Sequence, residues 1–218
     1  MRRRPPPLSS ILLGAHAPAT PRPAPPPPPL ASGPAGLSSA PDAEGLFSYA
    51  RPEGKSGGHG VGWSEIPRYA FRVPAGWEET PVSIADLGGT EIDLRFASKE
   101  MGSLAVVVAP VLRFMDVGFN ADLRIEGLGP PDRIIAGFAP EIFGKPLDED
   151  SVTDTQVVSV NGMTYYRWAV KPHALVAATA FRNRLFICTI NCANARQAKK
   201  HAAELLKIRD SFVVYNTA

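Results

Sequence analysis

The stretch that most constrains this chain runs from Asn161 to Asn191, NGMTYYRWAVKPHALVAATAFRNRLFICTIN. It opens on Asn161-Gly162, two residues that tolerate positive φ and so favour the tight turn of a two-residue hairpin. Three apolar-rich runs follow, Met163–Val170, Leu175–Phe181 and Leu185–Ile190, parted by Lys171-Pro172-His173 and Arg182-Asn183-Arg184. Runs rich in Tyr, Val, Ile, Thr and Phe with breaks this short predict a three-stranded antiparallel meander. Such strands leave faces that must be covered, so the rest of the fold is expected to be cover.

Proline sets the expected boundary. Fourteen of the 23 prolines precede residue 61, with the run Pro25–Pro29 at their centre. The ring removes a backbone donor and blocks helix interiors and inner strands. Residues 1–60 are therefore expected to be a disordered Pro-rich transit or linker segment, and residues 61–218 one domain. A domain of roughly 158 residues buries about 70 % of its unfolded surface, enough for a core without staples. The first 60 residues hold six basic and three acidic side chains, leaving 17 basic and 18 acidic in the domain. A near-neutral domain with no basic cluster argues against nucleic acid as partner. No apolar run approaches the roughly 18 residues that span a bilayer. The tail is rich in Arg, Ser, Ala and Pro and has no acid before Asp42, the composition of an organelle transit peptide. Its one apolar run, Ile11–Ala15, is short for the core of an export signal.

Ahead of the meander, Tyr69–Val73 alternates as a half-buried strand that stops at Pro74-Ala75-Gly76-Trp77. Ile92, Leu94 and Phe96 alternate with Glu91, Asp93 and Arg95, which predicts a strand with one wet face. Leu104–Val108 is apolar on both faces and is expected in mid-sheet, joined to the preceding strand by a hairpin at Lys99–Ser103. Pro131 suits a first helical turn, after which Ile134, Ile135 and Phe138 share a face. Leu147–Thr155 reads as an acidic loop leading to a strand over Gln156–Val160. Asn194–Gln197 fits a capping box ahead of a final helix. Ala198, Ala202, Leu205, Leu206 and Phe212 form its expected apolar stripe, and Lys199, Lys200, Lys207 and Arg209 its wet face.

Chemistry is sparse. The four histidines, His16, His59, His173 and His201, have no metal-ligand spacing and read as solvated. Gly54-Lys55-Ser56 lacks the first glycine of a phosphate loop, and Gly127-Leu128-Gly129 precedes Pro130-Pro131 where a dinucleotide site needs a strand-to-helix turn. Asp148, Glu149, Asp150 and Asp154 are the candidate metal ligands, although a calcium loop alternates its oxygens around a central glycine. Cys188 and Cys192 would lie about 13 Å apart if one strand ran through both, beyond the roughly 7 Å Cα reach of a disulfide. A turn at Asn191 would let them pair, so a redox pair and two free thiols both stand. Trp77 and Trp168 read as core. Trp63, Arg113 and Arg124 are the candidate partner-docking residues. Nothing marks a catalytic constellation, and an enzyme is not expected.

Taken in order, these segments resemble the PsbP family. Tyr69–Trp77 resembles its opening strand and turn. Glu91–Phe96 with Leu104–Val111 looks like its next hairpin, closing on the Val108-Ala109-Pro110 step. Asn161-Gly162-Met163-Thr164-Tyr165-Tyr166 is similar to its glycine–tyrosine–tyrosine hairpin, and Leu205–Val213 to its closing helix and strand. The Pro81–Thr90 stretch looks more like the PsbP-domain group than PsbP proper. The resemblance implies an α+β fold, an α/β/α sandwich with a central antiparallel sheet, shared with Mog1-type Ran-binding proteins. It also implies a chloroplast protein of the thylakoid lumen, peripheral to the membrane, whose partners are lumenal subunits of photosystem II, with its oxygen-evolving complex, or of photosystem I. The resemblance allows for Ca²⁺ binding; no cofactor is required. A thioredoxin-sensitive cysteine pair occurs in some domain-type members. The alternative is a Mog1-like binder of a small GTPase.

Overall fold

The computed structural model describes residues 35–55, 66–83, 85, 91–114 and 123–215. Its centre is a seven-stranded antiparallel sheet in the order β3-β4-β5-β9-β8-β7-β6. The strands are β3 (Glu78–Glu79), β4 (Ile92–Ser98), β5 (Gly102–Pro110), β6 (Val152–Val160), β7 (Met163–Val170), β8 (Ala174–Phe181) and β9 (Arg184–Cys192). The expected meander is present. Asn161 and Gly162 both have positive φ (52° and 75°) in the two-residue turn from β6 to β7, and Arg182 and Asn183 (48° and 59°) do the same between β8 and β9. The β4–β5 hairpin closes at Gly102, whose φ is 126°. A Cβ there would lie 2.1 Å from the Asn191 carbonyl oxygen of β9, so only glycine lets the two backbones come this close.

One face of the sheet is covered by α1 (Ile125–Leu128) and α2 (Pro131–Phe143). Pro131 occupies the first turn of α2, and Gly144 ends it in the left-handed conformation with its N–H on the Pro140 carbonyl. Ile134, Ile135 and Phe138 are buried as expected, with the Phe138 ring edge-on to Trp168 at 5.7 Å. The other face is covered by a second sheet, β1-β2-β10, built from β1 (Leu46–Ala50), β2 (Tyr69–Pro74) and β10 (Val213–Val214). It is joined there by α3 (Ala195–Lys200) and α4 (Ala202–Ser211). The α+β class holds, and the expected sandwich gains a partly β outer layer. Each face has its own core, one around Ile135, Phe138 and Trp168, the other around Phe71, Phe96, Tyr165 and Phe212.

The structure corrects the expected boundary at residue 61. Leu46–Ala50 pairs with Pro74–Ala70 along its full length, and Leu46 and Tyr49 are buried. The structured part therefore begins well ahead of that boundary; residues 1–34 and 56–65 lie outside the described residues. A proline count averaged over 60 residues hides one short alternating run.

Asp93 is a second correction. The register of β4 against β5 slips between Ile92 and Leu94, which leaves Asp93 as an extra, bulged residue. A one-residue slip inverts the face that follows. Ile92 packs with the helical core, while Leu94 and Phe96 pack with the opposite one. Asp93 is buried, not wet. Its Oδ2 accepts from Arg51 Nε at 2.8 Å and from the Tyr69 hydroxyl at 2.6 Å, and its Oδ1 accepts from Arg51 Nη2 at 3.0 Å. Burial alone would lower the Arg51 pKa, but the hydrogen bonds and charge of Asp93 more than offset it and hold the guanidinium charged.

The final helix is two helices meeting at His201, which is buried. Asn194 Oδ1 accepts from the Gln197 N–H at 3.0 Å, the first half of the capping box. The inward face of α4 is Leu205, Ile208, Arg209 and Phe212; Leu205 and Phe212 keep to the expected stripe, and Ile208 and Arg209 take the places expected of Ala202 and Leu206. Ala202 and Leu206 are exposed. Arg209, expected in water, is 2 % exposed.

Candidate docking site

The residues singled out from the sequence do not converge. Asp148 and Ser151 close a turn on each other, with the Asp148 N–H donating to Ser151 Oγ and the Ser151 N–H to the Asp148 carbonyl, both at 3.0 Å. Asp150 takes Lys171 Nζ at 2.7 Å, and that hydrogen bond and charge hold its carboxyl below the usual range. Asp154 lies in β6, which begins four residues before the strand expected from the sequence, and accepts from the Gln156 side-chain amide at 2.9 Å. Among the described residues, no three His, Cys, Asp or Glu side chains are placed to share a metal ion, Glu149 and its neighbours included.

The docking candidates have structural work. Arg113 pairs with Glu91 and, at 2.8 Å, with Glu141, tying a short turn to α2. Arg124 donates to the Gly162 carbonyl at 2.8 Å and pins the β6–β7 turn. Trp63 lies outside the described residues. Cys188 and Cys192 are both free, on one strand that runs straight through Asn191. Cys188 is fully buried, which pushes its thiol pKa up, while Cys192 is half-buried. The turn that pairing requires is absent.

What the fold does bring together lies where the C-terminal end of α4 reaches β6 and β7. Arg167 follows Met163 and Tyr165 on the inward face of β7, and Gln156 is its cross-strand partner on β6. Arg167 Nη2 donates to the Asp210 carbonyl at 2.8 Å, and its Nη1 lies 3.4 Å from Asp210 Oδ1. Arg209 Nε donates to the same Oδ1 at 2.8 Å, and its Nη2 reaches Gln156 Oε1 at 3.4 Å. Two buried guanidiniums thus share one carboxylate. Burial lowers the Arg167 pKa first of all; Asp210 raises it in part and the Arg209 charge lowers it further. Arg167 Nε and Arg209 Nη1 are buried with no hydrogen-bond partner among the described residues. The sequence held a signal for both arginines: Arg209 is one turn after Leu205, and Arg167 continues the Met163, Tyr165 alternation. Reading charge as solvent exposure overrode it.

Beside this cluster an apolar groove of about 260 Å³ runs between the helices and the β7–β8 turn. Ala169, Leu175, Ala198, Ala202, Leu205 and Leu206 line it, with Lys171 and His173 at one rim. Alanines at 198 and 202 leave the depth that larger residues would fill. The adjacent strand β6 forms one edge of the sheet for nine residues, without a lysine or a proline, and Val157 on it is 58 % exposed. Edges of that kind are open to pairing with another chain. No helix among the described residues is long and apolar enough to cross a membrane.

Comparison with known proteins agrees with the architecture. A cyanobacterial PsbP from Synechocystis sp. PCC 6803, solved in solution, superposes with a TM-score of 0.51 at 17 % identity, over 77 % of this chain and 92 % of that one, which speaks to the fold alone. PsbP domain-containing protein 4, chloroplastic, from Arabidopsis thaliana is 50 % identical over 175 residues, 80 % of this chain and 66 % of that protein. PsbP domain-containing protein 6, chloroplastic, from the same plant is 24 % identical over 162 residues, 67 % of this chain and 60 % of that protein. The chain thus spans somewhat under two thirds of the length of the relatives it matches. The PsbP family profile matches residues 64–214, from the lead-in to β2 through β10, and the chain belongs to the PsbP family.

Proposed function

We propose that this chain is a non-catalytic accessory protein of the thylakoid lumen that docks on a photosystem and aids its assembly or stability. The observation that carries the reading is family membership over residues 64–214, with 50 % identity to a relative named as chloroplastic. An open strand edge beside a groove suits an accessory protein, because it offers backbone and side-chain contacts to a partner without chemistry of its own. Binding the assembled partner in preference to its separated parts stabilises the assembly by mass action. Photosystem II and photosystem I are both admissible clients.

The test is import and recovery. The tagged full-length chain, expressed in a plant or alga, should be protected from protease in intact thylakoids and should recover photosystem subunits after mild solubilisation. A chain that reaches the lumen and recovers no photosystem subunit would defeat the reading, and a nuclear location with recovery of a small GTPase would replace it.

A further inference from the structure

We propose that the groove between α3–α4 and the β7–β8 turn binds an acidic-apolar segment of a partner protein. The apolar side chain of that segment enters the groove, and its carboxylate meets the Arg167 guanidinium, whose side chain keeps 11 % exposure, with the buried Arg209 adding its charge from behind. The proposal rests on the docking reading above and specifies the chemistry of the surface that is recognised.

Volume decides against a small-molecule site. Pockets for drug-sized ligands run from about 300 to 1,000 Å³, and about 260 Å³ falls below that range. One or two side chains fit it better. Charge decides the sign of the partner. Among the described residues Arg167 and Arg209 have one carboxylate, Asp210, within bonding distance, and the next along β6, Asp154, is engaged by the Gln156 amide. Buried charges are ordinarily paired and fully hydrogen-bonded, yet this cluster keeps a surplus positive charge and two unpartnered nitrogens. Lys199, exposed on the same helical pair, has no acidic partner among the described residues. Lys171 at the rim is neutralised by Asp150 and adds little.

Spacing narrows the motif. Arg167 is two residues from Ala169 of the groove along β7, about 7 Å in a strand. Arg209 is one helical turn from Leu205, about 5 to 6 Å. An extended peptide spans the same distance between side chains two residues apart. The recognised segment therefore carries an acidic residue two positions from a Leu, Ile or Phe, in either order.

The experiment is selection of random dodecapeptides displayed on phage against the full-length chain, followed by anisotropy measurements with the enriched peptides. The expected peptides carry that acidic-x-apolar pattern. They lose about tenfold in affinity when the acid becomes its amide, lose at least as much on Leu206→Glu, and weaken as salt rises. Leu206 is exposed, so the variant should melt with the wild type; Lys199→Glu is a second exposed variant and should also weaken binding. Enriched peptides without an acid, or binding unchanged by Leu206→Glu, would overturn the proposal. So would a dimer by sedimentation that Leu206→Glu abolishes, since the groove would then hold a second copy. Wild-type levels of photosystem recovery by Leu206→Glu would overturn the groove while leaving the photosystem reading intact. Selection of the motif without any photosystem recovery would do the reverse.

Discussion

Asp93 on β4 and Arg51, just after β1, are 42 residues apart in sequence and form a buried two-armed ion pair, with Nε–Oδ2 at 2.8 Å and Nη2–Oδ1 at 3.0 Å. The Tyr69 hydroxyl takes the same carboxylate, so the pair joins β1, β2 and β4 and clamps the small sheet onto the large one.

Removing one partner from a buried pair leaves a charge without compensation and costs about 3–5 kcal/mol. Asp93→Leu and Arg51→Met should each destabilise by that amount. The double variant removes both charges and strands the buried Tyr69 hydroxyl, about 1–3 kcal/mol, while the Lys55 carbonyl that accepts from Arg51 Nη2 is only part-buried and can turn to water. Urea unfolding of the three variants should therefore show each single change costing more than the double. An Asp93→Leu protein within about 1 kcal/mol of wild type would show that the clamp carries no stability.

Alkaline pH should unfold the protein through its tyrosines. Tyr49, Tyr69 and Tyr165 have raised pKa values, in each case chiefly because they are buried, with the Glu79 and Asp93 charges adding at Tyr49 and the Asp93 charge at Tyr69. Above pH of about 10 the unfolded state releases these protons and the native state keeps them. Their contribution to stability is complete below that pH and is lost as pH climbs toward the folded values. Phenolate absorbance of these three should rise together with the loss of near-UV circular dichroism. Full ionisation of all tyrosines with the near-UV signal intact would contradict the burial.

How far the fold could be read from the sequence differs from element to element. The meander was legible because Asn161-Gly162 and Arg182-Asn183 carry their backbone geometry locally, and strand alternation repeats over eight or nine residues. Asp93 was not, because a bulge is a change of register against a neighbour and leaves no mark on the strand that bears it. The stripe on α4 was half right for a related reason: Leu205 and Phe212 are buried as read, but the break at His201 resets the helical face, so the row from Ala198 through Ala202 to Leu206 turns outward. The docking cluster stayed hidden because Gln156, Arg167 and Arg209 meet only through tertiary structure.

The corrected phase gives a paired test on α4. Leu205→Ala, in the core, should cost about 2–5 kcal/mol, whereas Leu206→Ala, one residue on and exposed, should change stability by no more than about 0.5 kcal/mol. Thermal melts of both separate the observed face from the expected one. Equal losses would restore the stripe read from the sequence.

The two thiols should react in sequence. Cys192 is half-buried and Cys188 fully so, with its pKa raised by burial. A thiol reagent applied to native protein should add one adduct, mapped to Cys192 by mass spectrometry, and a second only in denaturant. An oxidised native form with both thiols lost as one intramolecular bridge would require β9 to break at Asn191.

The clamp at Arg51 also limits how much of the N-terminal segment the fold can lose. A cut ahead of Leu46 would leave every strand among the described residues in place. One past Arg51 would release β1 and strip Asp93 of its countercharge, leaving a bare carboxylate inside the molecule. The charge inside the molecule thus limits how far the chain can be shortened from this side.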